Sequence, residues 1–137
     1  MRVVLDTNVL VSALIVSGGL SDWLYQAWRT GGFTLVTSEE QLDEFRRVTR
    51  YPRVRQYIHP SHAGTMLNEL KLLADTLTKL PHVDISKDPA DNFLLAMAVA
   101  GQADYLVTGD VPGLLNMHRY QRTQIVTVRQ LVELLEK

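Results

Sequence analysis

Four acidic residues stand where an α/β chain can turn them toward one place: Asp6, Glu44, Asp91 and Asp110. Asp6 ends the apolar run Arg2-Val3-Val4-Leu5, and Asp110 follows Tyr105-Leu106-Val107-Thr108-Gly109. Both runs have the branched, turn-bounded character of short buried strands. The carboxyl ends of parallel strands share one sheet edge, the edge where ligands collect. Glu44 borders the apolar stripe Leu42, Phe45, Val48 of a predicted helix, where a carboxylate is costly unless its charge is compensated. Glu40 and Asp43 point further toward solvent. Asp88 and Asp91 open another helix, where amide dipoles favour negative charge. Capping accounts for Asp88, and for Asp6 or Asp91 taken singly, so the combination carries the chemistry. Clustered carboxylates cannot all stay ionised without a cation, and oxygen-only ligands suit magnesium or manganese. A metal-activated water would then hydrolyse a phosphodiester without any nucleophilic side chain.

Arg46, Arg47, Arg50, Arg53 and Arg55 crowd the segment after Glu44. Their forked, permanent charges suit phosphate; surface pairing with Glu39, Glu40 and Asp43 is the competing account of any one of them. Tyr51 and Tyr57 suit stacking on bases, or packing and a dimer interface. The four histidines make no convincing ligand set: His59 and His62 read as loop residues around Pro60-Ser61, and His82 and His118 are isolated. Trp23 and Trp28, five apart, cannot form one tight stripe, and core packing is the expectation for them.

The elements that must position these residues follow from spacing and punctuation. Val9 to Ile15 predicts a helix, broken at Ser17-Gly18-Gly19 before a second that carries Trp23, Leu24, Ala27 and Trp28. Gly31-Gly32 stops it, Phe33 to Val36 predicts a strand, and Thr37 with Glu40 has capping-box spacing. The helix so opened is expected to end near Tyr51-Pro52. From Ser61, the residues Ala63, Met66, Leu67, Leu70, Leu73, Leu77 and Leu80 line one helical face, which Pro81 ends. His82 to Ile85 reads as a short strand or a connection. Asp88-Pro89 caps a helix to about Ala100 that is apolar nearly all round and therefore buried on more than one side. Strands at Tyr105 to Thr108 and Ile125 to Val128 follow, and Thr127 with Gln130 opens a last helix. The alternation predicts an α/β fold in three layers, with mostly parallel strands flanked by helices.

The chain has 137 residues, 46% of them hydrophobic, which suits one domain with a sizeable core spanning 1–137. A formal charge of −1 gives no global field for nucleic acid, so any contact must be local. The absence of cysteine excludes disulfides, thiolate zinc sites and thiol catalysis. No secretory leader is visible, and the apolar run from Phe93 to Ala100 is too short to span a bilayer. A cytoplasmic protein without membrane contact is the expectation.

Together these residues resemble the PIN-domain nucleases, particularly the toxin-like branch of bacterial toxin–antitoxin systems. The resemblance rests on VVLDTNVLVSAL, on SEEQLDEFRRVTRYPRV, and on DPADNFLLAMAVAGQADYLVTGD followed by IVTVRQLVELL, in the family's order over nearly the whole chain. It implies a Rossmann-like sheet of about five strands, metal-dependent endonucleolytic cleavage of RNA, and frequent dimerisation. It also implies a small antitoxin, encoded alongside, that caps the cleft. Asp6, Glu44, Asp91 and Asp110 match the family's acids, Asn8 and Thr108 its supporting polar positions, and Asp88 and Asn92 flank the third acid. Many relatives carry a further acid where this chain has Pro112, which bears on a second metal. Two alternatives stay open: a phosphatase or phosphotransfer domain with Asp6 as acceptor, and a domain that binds RNA or a partner without cutting. Against the former, Thr7-Asn8 supplies no second acid two residues after Asp6.

Overall fold

Val3, Val4 and Leu5 are sealed from solvent on both faces of β1 (Arg2–Leu5), one of the two middle strands of a six-stranded sheet. The computed structural model describes residues 1–109 and 111–137. On one side of β1 lie β2 (Thr34–Ser38) and then β3 (Asp75–Leu77). On the other lie β4 (Tyr105–Val107), β6 (Thr123–Val126) and, at the edge, β5 (Arg119–Tyr120). All pairings are parallel except that of β5 with β6. The winding moves outward from β1 to β3, then resumes at β4 against the other side of β1. That reversal opens a crevice at the carboxyl ends of β1 and β4, the usual seat of a ligand in such sheets.

Alternation along the strands sorts the core into two halves, since successive side chains point to opposite faces. Val3, Leu5, Leu35 and Val107 join one cluster with α1 (Thr7–Ile15), α2 (Leu20–Arg29), α3 (Glu39–Val48), α5 (Pro60–Leu73) and α7 (Val128–Glu136). Val4, Val36, Leu106 and Ile125 join the other, beneath α6 (Pro89–Ala100). The expected three layers are present. α6 buries Leu94, Leu95, Ala96, Met97 and Ala98 in succession, the consequence of an apolar circumference. Gly101 at its end lets the helix close on the sheet: a Cβ there would stand 2.5 Å from Val36 Cγ1 and 3.0 Å from the Met97 carbonyl. A short helix α4 (Pro52–Arg55) links α3 to α5. Among the described residues no single helix is long and apolar enough to cross a membrane.

Several boundaries differ from the sequence expectation. The second strand runs on to Ser38, so Ser38 rather than Thr37 caps α3, and its hydroxyl accepts from the Gln41 amide at 3.1 Å. α3 ends at Val48, and Pro52, expected to mark a stop, instead starts α4. The helix predicted to continue to Leu80 ends at Leu73, and Asp75–Leu77 pairs in parallel with β2. Met66 and Leu70 pack on one side of the sheet, Leu77 and Leu80 on the other, so their helical spacing was a coincidence of two elements. Residues 82–85 form a connection, not a strand, and the sheet gains β3 and the antiparallel β5.

Two expected outcomes test this packing. Gly101→Ala should lower the unfolding free energy by about 1–3 kcal/mol, read as a lower urea midpoint; an unchanged midpoint would mean that Val36 yields freely. Asp104 latches the amino ends of the central strands: its carboxylate accepts from the Arg2 amide at 2.8 Å and from Arg122 at 2.8 Å. The Arg2 amide first, then Arg122, holds the carboxyl below the usual aspartate range. Its stabilisation is therefore present above the unfolded-state pKa and lost as pH falls through the folded one. The stability gap between the protein and Asp104→Asn should be constant near neutrality and close on acidification, in urea titrations at a series of pH values.

Candidate functional site

Asp6 leaves β1 and caps α1, its Oδ1 accepting from the Asn8 amide at 3.2 Å. Its own amide donates to the Val107 carbonyl at 2.9 Å, which carries the β1–β4 pairing one residue past the strand. Thr108, wholly buried after β4, donates its hydroxyl to Asp6 Oδ2 at 2.8 Å. The carboxylate is thus clasped from both strands that border the crevice.

Glu44 arrives from the opposite layer to α6, on α3, half-buried as its place beside the stripe predicted. A buried polar chain aims it. Thr37 Oγ1 donates to Gln41 Oε1 at 2.7 Å, and Gln41 Nε2 donates to the Leu5 carbonyl at 2.7 Å and to Thr7 Oγ1 at 3.3 Å. The Thr7 hydroxyl then donates to Glu44 Oε1. Gln41 thereby ties α3 to the end of β1 one turn before the glutamate.

Asp91 sits in the first turn of α6 and is only 6% exposed, a position that would be costly for a carboxylate without donors. Ser86 Oγ donates to Asp91 Oδ2 at 3.2 Å. Asn92 holds that serine in place: its Oδ1 accepts from the Ile85 and Ser86 amides at 3.0 and 2.8 Å, and its Nδ2 donates to the Ser86 carbonyl at 2.8 Å. Asn92 therefore fastens the loop that serves Asp91. Asp88 caps α6, accepting from the Ala90 amide at 2.9 Å.

One cleft of about 500 Å³ is lined by Asp6, Thr7, Asn8, Glu44, Asp88 and Asp91, with Val48, Phe93 and Leu94 as apolar wall. Asp110 lies outside the described residues. The described lining has no lysine, arginine or histidine. Its oxygen-only donors fit a hard divalent cation, although among the described residues no three acids or histidines are grouped as an ion's ligands.

The arginines expected near Glu44 divide. Arg47, one turn on at i+3, shares the glutamate's side of α3 and is exposed. Arg46 lies about 200° around the axis from Glu44, Arg50 follows the end of the helix, and with Arg55 they line a separate cavity. Arg46 pairs with Asp43 at 3.1 Å, and Arg53 is exposed on α4. His59 caps α5, accepting from the Ser61 amide at 3.2 Å, a loop role as expected. Trp28 is core and Trp23 is exposed. Sequence reasoning passed over Thr7, Gln41 and Ser86. Gln41 had a signal, a polar residue four before Phe45 on the edge of the buried stripe; Ser86 had none.

A family model described as PIN domain matches residues 2–112, which takes in every acid of the cleft. Among curated proteins none matches the chain.

Replacing Gln41 by leucine would leave the Leu5 carbonyl and the Thr37 and Thr7 hydroxyls short of partners. Gln41→Leu should therefore cost about 1–3 kcal/mol in urea unfolding. Full retention of stability would show that the polar chain to Glu44 is dispensable.

Proposed function

Because this chain belongs to the PIN-domain family, whose members are in general nucleases that use divalent metals, we propose that it is a magnesium- or manganese-dependent endoribonuclease. The observation that carries the reading is one cleft lined by Asp6, Glu44 and Asp91, from the sheet edge and from both helical layers, with no basic side chain among its described lining residues. A phosphodiester cannot enter such a cleft against carboxylates alone, and a cation resolves the repulsion.

In this reading Asp6, Glu44 and Asp91 hold the ion, with Asp110 as the fourth acid by its place in the sequence and Asp88 at the rim. When bound, the cation supplies a Lewis acid for the phosphoryl oxygens and lowers the pKa of a water. The chain's own work is orientation. Thr108 and the Asn8 amide fix the Asp6 oxygens, Thr7 and Gln41 fix Glu44, and Ser86 fixes Asp91. Phe93, Leu94 and Val48 limit the water around the reacting phosphate. Arg47, on the glutamate's side of α3, takes an adjacent phosphate of the substrate. The chain acts as one domain, dimeric, and as the toxin of a toxin–antitoxin pair whose antitoxin covers the cleft; these last points rest on the resemblance of its motifs.

Asp6→Asn and Asp91→Asn should each slow cleavage of RNA by more than about a hundredfold, with thermal melting preserved, and EDTA should do the same to the unaltered protein. Undiminished, metal-independent cutting by both variants would sink the mechanism. Capture of a beryllofluoride adduct on Asp6 would favour phosphotransfer instead.

A further inference from the structure

Behind α3, on the side away from the acids, a cavity of about 280 Å³ opens between α3, α4 and α5. Arg46, Arg50 and Arg55 stand around it, Ile58, Pro60 and Leu67 supply apolar wall, and no carboxylate lines it. Arg46 is engaged by Asp43, but among the described residues Arg50 and Arg55 make no ion pair. Two guanidiniums without counter-charge at a concave, partly apolar surface are a receptor for an anion that carries an apolar body. The same segment presents two exposed aromatic rings: Tyr51, at 42% exposure, caps α4, and Tyr57, at 63%, follows it. Exposed rings interleaved with arginine are what a single strand of nucleic acid uses, its phosphates on the cations and its bases on the rings.

We infer that this arginine cavity, with the tyrosines that flank α4, is a second subsite for single-stranded RNA, which binds nucleotides outside the scissile bond and needs no metal. It deepens the nuclease reading and rests on it for the identity of the ligand. Arg50 follows the end of α3, six residues beyond Glu44, and lines the cavity behind that helix instead of the acid cleft. The subsite therefore touches RNA that has wrapped α3, away from the reacting phosphate. It acts on how tightly a long substrate is held, not on the chemical step.

The test is binding without cleavage. A fluorescein-labelled single-stranded RNA oligonucleotide is titrated by fluorescence anisotropy in EDTA, at several salt concentrations, against the protein, the Arg50→Ala/Arg55→Ala variant and the Tyr57→Ala variant. The double arginine variant should bind about tenfold more weakly. Its slope of log K against log salt should be shallower by roughly 0.7 for each lost phosphate contact. Tyr57→Ala should weaken binding by a comparable factor. In cleavage assays the double variant should raise KM for long RNA with kcat unchanged. Circular dichroism and melting confirm that these exposed substitutions leave the fold in place. Unaltered affinity and salt slope in the folded double variant would overturn the subsite, and so would an arginine-dependent preference for an acidic peptide over RNA. If the protein binds RNA through Arg50 and Arg55 yet never cuts it, the nuclease reading fails and the subsite stands.

Discussion

Parallel pairing of β1 with β4 is the constraint on which the rest of the structure depends. It directs two carboxyl ends to the same edge, and the bond from the Asp6 amide to the Val107 carbonyl extends the register past the strands. The reversal of winding between those strands opens the crevice at that edge. Asp6 is therefore both a structural cap and a ligand-ready group. The hydroxyl of Thr108 reaches it only because neighbouring strands keep their spacing of about 4.8 Å beyond their last formal pair.

Each of the other two acids is brought in by a different layer, and each is held by neutral donors. Glu44 depends on the amide and hydroxyls of Gln41, Thr7 and Thr37; Asp91 depends on Ser86, which Asn92 restrains. Neutral donors orient a carboxylate without cancelling its charge, which is what the proposed cation site requires. An arginine or lysine in the same place would orient equally well and would neutralise the charge instead. The placing of Arg46, Arg50 and Arg55 at a separate cavity follows the same logic.

Much of this could be read from the chain itself. The strand-end position of Asp6, the stripe-edge position of Glu44 and the first-turn position of Asp91 depend on local periodicity and capping, which short-range sequence expresses directly. The extent of the helix after Ser61 could not be read, because Met66, Leu70, Leu77 and Leu80 keep helical spacing yet serve two faces of the sheet, and only the pairing of β3 with β2 separates them. Gln41 and Ser86 escaped for a related reason: their partners, the Leu5 carbonyl and Asp91, are set by tertiary packing or by a loop without regular period. The arginines were legible as a charge cluster, yet their separation around α3 demanded a count of helical angle from Glu44 rather than distance in sequence.

α3 thus has three unlike stripes: Gln41 and Glu44 toward the cleft with Arg47 on their exposed flank, Leu42 and Phe45 in the core, and Asp43 and Arg46 outside, with Arg50 just past the helix end. Because the tether at Gln41 and the anchor at Phe45 set the helix's position, the outer stripe carries almost none of that duty. Substitution there changes the grip on whatever lies outside, while the geometry of the acids stays where β1 put it.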